Sequence, residues 1–322
     1  MRFTLALLIP SVLLTAVWTG SPCLAQFGDD IGNIPAAAKL GERTAQRWKV
    51  GMIVSAGKTP CQQLFGTLPI PTDWPEQTVT VVSEDISPSV AAVKYRILND
   101  GVKQMLVTVP RLLPGETAQA IVIVEINRAV TLPPSSTDSL VKPKKLNRSL
   151  RQYLAASPYV EIRHKKIKKL AAELRDDELN DWKQIEKYYD YVRANVEFRE
   201  GELKGALAAL ESGFGDCEEL TSLFIAICRV NDVPARTVWV PGHCYPEFYL
   251  VDTEGEGHWY PCQAAGDRAF GEMPDPRPIL QKGDNFKVPE KKKRQRYVAE
   301  FLKSVGGRPT VSFVREVLPV DG

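Results

Sequence analysis

The stretch "GFGDCEELTSLFIAICRVNDVPAR", Gly213 to Arg236, puts a cysteine where a thiol has chemistry as well as volume. Asp216 followed three residues later by Glu219 has the spacing of a capping box and predicts a helix that begins at Cys217. Leu220, Leu223, Phe224 and Ile227 then recur at the steps of one buried helical face, until Asn231, Asp232 and Pro234 end it. The first turn of a helix offers unpaired N–H groups and the positive end of the helix dipole, and both favour a thiolate. Glu218 and Glu219 work against it, because nearby negative charge raises a thiol pKa. A thiolate at Cys217 therefore calls for a second stabiliser, normally an imidazolium. The chain has three histidines. His164 sits in a lysine-rich helix, whereas His243 begins a strand directly after the Pro241–Gly242 break and is preferred over His258 as the partner. The plainer alternative is a core cysteine held for packing and a turn histidine.

Elements that could position such a pair are readable around it. "DDELNDWKQIEKYYDYVRANVEF" sets Leu179, Trp182, Ile185, Tyr189 and Val192 at three- and four-residue steps, an amphipathic helix, and a short "GALAALES" helix leads to Cys217. Strand-like segments follow: "ARTVWV", "HCYPEFYLV", "HWYPCQ", and later "RYVAEFL" and "TVSFVREVL". Helices first and an antiparallel sheet afterwards make this half an α+β domain. The earlier half reads differently. "QTVTVVSE", "VAAVKYRIL", "KQMLVTVPRLL" and "AQAIVIVEINRAV", separated by "SPS", "NDG" and "PGE", predict a small all-β sandwich. "TLPPSSTDSLVKPKK" reads as a linker. The expected division is residues 1–25 signal peptide, 26–130 sandwich, 131–150 linker and 151–322 α+β domain with a C-terminal strand extension.

The signal peptide is read from "MRFTLALLIPSVLLTAVWTGSPCLAQ", with Arg2, an apolar run broken at Pro10, and small residues near Ala25. It predicts a secreted or periplasmic protein without stable membrane insertion after cleavage; Cys23 goes with the leader. Export permits disulfides, and five cysteines remain: Cys61, Cys217, Cys228, Cys244 and Cys262. With 41 basic against 39 acidic residues, no charge excess recruits nucleic acid. The basic runs "HKKIKK" and "KKKRQR" read as solvated faces. No Cys or His pair has metal-ligand spacing on one element, so neither metal nor cofactor is expected.

"GDCEELTSLFIAICR", "VPAR", "HCYPEFYL" and "HWYPCQ", in that order, resemble the transglutaminase-like superfamily, whose Cys-His-Asp domain shares its layout with papain-type cysteine proteases. The resemblance covers roughly residues 157–266. It implies helices packed on an antiparallel sheet, Cys217 as nucleophile and His243 as its base. The family's third residue, an Asp, falls on Gln263, which offers only a neutral carbonyl oxygen; Asp252 and Asp267 are the other candidates for its role. Trp239, Tyr245 and Trp259 could line a substrate cleft, and Arg236 is expected in a structural ion pair. Side-by-side placement of His243 and Gln263 on adjacent strands would also put Cys244 opposite Cys262, on the sheet face away from the site, at a separation a disulfide can bridge. The implied activity is acyl transfer, or hydrolysis of an amide or peptide bond, through a Cys217 thioester, with a protein or peptide substrate. The competing reading is a catalytically inactive binding or scaffold module, which the missing Asp favours.

Overall fold

A computed structural model describes residues 39–98 and 101–319. The expected leader, residues 1–25, lies outside the described residues. Six strands come first: β1 Leu40–Ser55, β2 Cys61–Ile70, β3 Gln77–Ile86, β4 Ala92–Ile97, β5 Lys103–Leu112 and β6 Thr117–Thr131. Strand β1 buries every second residue from Trp48 through Val50, Met52 and Val54, and β6 answers with Ala118, Ala120, Val122, Val124 and Ile126. A period of two on both partners gives a two-layer sandwich with a dry centre. The antiparallel register sets Val50 opposite Val122 and Met52 opposite Ala120. Across the layers, Gly66 of β2 leaves the space that Met52 fills; a Cβ there would stand 2.3 Å from the Met52 sulfur.

The chain then builds a second layer system. It runs through α1 Arg148–Arg151, α2 Lys165–Leu174, α3 Asp181–Asn195, the two-residue strand β7 Glu197–Phe198, α4 Ala206–Ser212, β8 Phe214–Gly215 and α5 Cys217–Val230. Strands β9 Ala235–Val240, β10 His243–Val251, β11 Gly257–Pro261 and β12 Gln281–Lys282 form one sheet in the order β11-β10-β9-β12. Helix α5 is more than amphipathic: Leu220 through Arg229 are all buried, so it is the central rod between the other helices and the sheet. Of the face predicted for α3, Trp182, Ile185, Tyr189 and Val192 are buried, while Leu179 falls before the helix and is exposed. Trp182 stands edge-on to Phe248, Tyr260 and Phe270, joining α3 to the sheet.

Two expectations about the ends of this region change. The segment expected as a linker is laid along the protein: Thr131 bridges to Met273, Val141 bridges to Val251, and Leu140 is buried. The C-terminal strands β13 Phe301–Gly306 and β14 Thr310–Leu318 do not extend the α+β sheet. They return to the sandwich, whose sheets have the orders β14-β1-β6-β3 and β13-β2-β5-β4. Each covers the edge of a sheet, where an unpaired strand would otherwise be exposed. Sandwich and α+β layers pack as one compact unit. Trp74 of the sandwich side shares an apolar cluster with Val238, Val240, Tyr245, Met273 and Ile279. Beside it, Lys282 donates to Glu76 at 2.6 Å and to Glu247 at 3.2 Å, a buried ionic link across the two parts.

Candidate active site

Helix α5 starts as the capping box requires. The Asp216 carboxylate accepts from the Glu218 N–H at 2.7 Å and the Glu219 N–H at 3.4 Å, and Glu219 accepts in return from the Asp216 N–H at 3.0 Å. Cys217 is thereby fixed as the first helical residue, half-buried. Asp216 takes the next two N–H groups, and the Cys217 N–H has no partner among the described residues. Burial and the adjacent Glu219 carboxylate push the Asp216 carboxyl up to about 7.

The facing strand is aimed by its turn. Val240 pairs with His243, so Pro241 and Gly242 are the two central residues of a tight hairpin. Gly242 has φ of 68°, the left-handed value that the second position of a Pro-Gly turn demands and that a side chain would strain. Arg277 secures the turn by donating to the Pro241 carbonyl at 2.9 Å, while Asp275 grips the same guanidinium from the other side, Nε to Oδ2 at 2.8 Å.

The structure brings Cys217, His243 and Gln263 together. His243 Nε2 lies 2.9 Å from Gln263 Oε1. The amide oxygen only accepts, so the ring's Nε2 carries a proton and Nδ1 is left to exchange one with Cys217. Gln263 is itself anchored through its backbone: its carbonyl accepts from Arg193 at 2.9 Å, and its N–H donates to Ala269 O at 2.8 Å. The other carboxylates considered for its role are elsewhere. Asp252 pairs with His258 at 2.9 Å, and Asp267 is on the surface.

Electrostatics poise the pair as thiolate and imidazolium. The Cys217 thiol is lowered to about 4, first by a hydrogen bond from the Cys244 thiol and then by His243 and the Cys244 backbone N–H, against the opposing effect of burial. Burial alone would lower His243, but its hydrogen bonds to Cys217 and Gln263 and the thiolate charge outweigh this and raise it. The acidic residues that argued against a thiolate are engaged. Glu219 turns back to accept from the N–H groups of Lys204 at 2.6 Å and Asp216 at 3.0 Å, and Glu218 is paired with Arg296. Arg296, expected on a solvated face, thus stands beside the start of α5, over the Trp239 ring at 5.2 Å.

Other expectations sort similarly. Trp239 lines a narrow cleft with Tyr159, Glu218 and Arg296, with Cys244 in its wall. Tyr245 belongs to the cluster between sandwich and α+β layers, and Trp259 stacks under the Arg236 guanidinium at 4.0 Å. Arg236 is in the expected ion pair, with Glu247. The Cys244–Cys262 disulfide does not form: both thiols are free. The reason is register. Strands β10 and β11 pair Glu247 with Pro261 and Phe248 with Tyr260, which moves every partner two residues from the expected alignment. Cys262 consequently hydrogen-bonds through its N–H to Pro246 O, and Cys244 packs against Cys217. Gln263 still reaches His243 because its longer side chain spans the diagonal. A larger surface hollow, lined by Arg175, Asp176, Asp181 and Asp232, lies at the far end of α5, and no cysteine or histidine lines it. No group of three potential metal ligands occurs among the described residues.

Residues 168–264 match the transglutaminase-like superfamily, a span that includes Cys217, His243 and Gln263. Among solved structures, the chain is similar to a candidate cysteine protease from Cytophaga hutchinsonii, with a TM-score of 0.55 and 16% identity over 87% of this chain and 94% of that one. At that identity the likeness speaks to the fold, sandwich included. A candidate protease from Parabacteroides distasonis aligns at a TM-score of 0.26 and 10% identity over 70% and 68% of the two chains, too loosely to carry an argument. No curated protein matches the chain.

Proposed function

The chain carries a transglutaminase-like domain over residues 168–264, and from that premise we propose that it is a cysteine-dependent hydrolase of amide or peptide bonds, acting on protein or peptide substrates outside the cytoplasm. The observation that carries this reading is the line of contacts from Cys217 through His243 to Gln263 Oε1. The Cys217 thiolate attacks the substrate carbonyl, and the developing oxyanion is met by the Cys217 N–H at the positive end of α5. His243 then gives its Nδ1 proton to the leaving amine, and the carbon–nitrogen bond breaks to leave a thioester. Water resolves the thioester, giving one proton back to His243 as the carbon–sulfur bond breaks. Nothing in this cycle requires a carboxylate behind His243. The thiolate already balances the imidazolium in the resting state, so the third group need only accept the Nε2 proton, and an amide oxygen suffices.

The same geometry favours an enzyme over an inert scaffold, because a packing cysteine has no need of an imidazole oriented by a second side chain. Alkylation of Cys217 by iodoacetamide, followed against pH, should rise with a midpoint near 4 and stay high to neutral pH. A midpoint near the reference value of ~8.5 would remove the case for an activated nucleophile. Hydrolysis is distinguished from amine transfer by turning over a peptide amide with and without a primary amine: free acid as the main product in both supports the hydrolase.

A further inference from the structure

The second thiol at the site has no part in that cycle. Cys244 is the residue after His243, only 1% exposed, and it packs with Trp239, Leu280 and Cys217. Its sulfur stands 3.8 Å from the hydroxyl of Thr221, which lies one turn beyond Cys217 on the same side of α5. The two thiols are packed together and hydrogen-bonded between the helix start and the strand. The remaining described cysteines are remote: Cys61 lies in the sandwich core and Cys228 three turns along α5, with Cys262 on the Cys228 side.

We propose that Cys244 is a resolving thiol for Cys217: a hydroperoxide drives the pair into a disulfide that withdraws the nucleophile until a thiol reductant reopens it. The inference rests on the reading of Cys217 as a reactive thiolate, and its chemistry balances without any further reagent. The half-exposed Cys217 thiolate attacks a peroxide oxygen, the O–O bond breaks, and hydroxide leaves, giving a sulfenic acid. The Cys244 sulfur attacks the sulfenic sulfur, and its proton leaves with the hydroxyl as water. Two electrons pass from the two sulfurs to the peroxide. The burial that keeps Cys244 a thiol at rest, its pKa raised well above the usual range, also shields it from direct oxidation. Such a device protects a low-pKa cysteine from irreversible sulfinic and sulfonic acids.

The test uses the full chain, reduced, then treated at pH 7 with one equivalent of hydrogen peroxide and mapped as non-reduced peptides. A peptide pair joined through Cys217 and Cys244 is expected, with iodoacetamide labelling of Cys217 lost and then recovered after dithiothreitol. Cys244→Ser keeps a hydroxyl donor for the thiolate but cannot close the bond; in it Cys217 should pass to acids that dithiothreitol does not reverse. Absence of the linked pair in the wild type overturns the proposal, as does full recovery in Cys244→Ser. Labelling of the reduced wild type at pH 6 separates the two readings: slow labelling defeats the nucleophile itself, whereas fast labelling without a linked pair defeats only the resolving thiol.

Discussion

Strand β10 carries two charge clusters four residues apart, and they are built in opposite ways. At Glu247 the carboxylate is 2% exposed and receives both Arg236 and Lys282, with Glu76 on the far side of the lysine. Burial works against Glu76, yet Lys282 and Arg128 hold its carboxyl down at about 2. Each carboxylate there is held by a cation in a buried site, so the cluster fixes one geometry. At His243 both charged partners are titratable, one is half-exposed, and the third group is neutral. Saturation by paired charges makes a joint; two groups that can trade one proton are what a reaction centre uses.

The largest test of that contrast removes the proton partner. His243→Ala should cut turnover by about 10³-fold, the scale of a lost general acid–base, and should slow alkylation of Cys217 at pH 6 by at least about tenfold as the thiol pKa climbs. Its effect on stability should depend on pH, unlike a break in the joint. The pH dependence has a defined sign. Cys217, depressed when folded, contributes stability that builds from pH 4 toward the unfolded value of ~8.5 and is lost as pH falls. His243, raised when folded, contributes in full below ~6.5 and loses it as pH rises through its folded pKa. The pair therefore supports the fold most between these limits, where both groups are charged, and urea midpoints of wild type and His243→Ala should differ most there.

Breaking the joint should give the converse. Glu247→Gln leaves Arg236 and Lys282 facing a neutral amide in a buried site and should cost about 3 kcal/mol, read as a lower urea midpoint. Cys217 in the protein that remains folded should alkylate at nearly the wild-type rate. A large loss of labelling there would mean that the two ends of β10 are coupled and the contrast is false.

These differences also mark what a sequence can carry. The place of Cys217 at a helix start was legible because capping chemistry and helix periodicity are local: Asp216, Glu219 and the apolar steps after them lie within one segment. His243 was legible because a Pro-Gly turn starts its strand. The register of β10 on β11 was not, since the turn "DTEGEG" admits several alignments and only packing selects among them. Nor was the destination of Thr310–Leu318, because alternation identifies a strand but not which sheet edge it covers. Arg296 was hidden for a related reason. Its neighbours Lys292, Lys293 and Arg294 are exposed as their composition suggests, and only the path of the chain past Tyr159 and Trp239 turns this one side chain onto Glu218.

Gln263 gives a finer test. Gln263→Ala should lower turnover by about tenfold through loss of ring orientation, whereas Gln263→Asp should retain most of it, with the urea midpoint unchanged in both. The pH profile tells orientation from mere packing. A carboxylate behind the ring should extend activity to higher pH by holding the imidazolium proton more tightly, and Gln263→Ala should narrow the profile from the alkaline side. A profile that keeps its shape in both variants would leave Gln263 as a neighbour only.

The smallest expected effect probes how far the reactive cluster extends. Glu218 follows Cys217 directly, and its negative charge disfavours a thiolate; Arg296 stands on Glu218 and offsets it. In Arg296→Gln the guanidinium charge is lost from beside the sulfur, so the thiol pKa should rise modestly and alkylation at pH 4 to 5 should fall by about two- to threefold. Above pH 7 the rate should be unchanged, because the thiolate is then fully formed in both proteins. Stability should change by less than about 1 kcal/mol, as befits a pair that is partly exposed. Added salt sharpens the point: screening weakens the guanidinium's pull on the thiolate in the wild type, so the gap between the two proteins at pH 5 should close as ionic strength rises. A gap that ignores both pH and salt would place Arg296 with the fixed pairs of the joint, outside the titrating cluster.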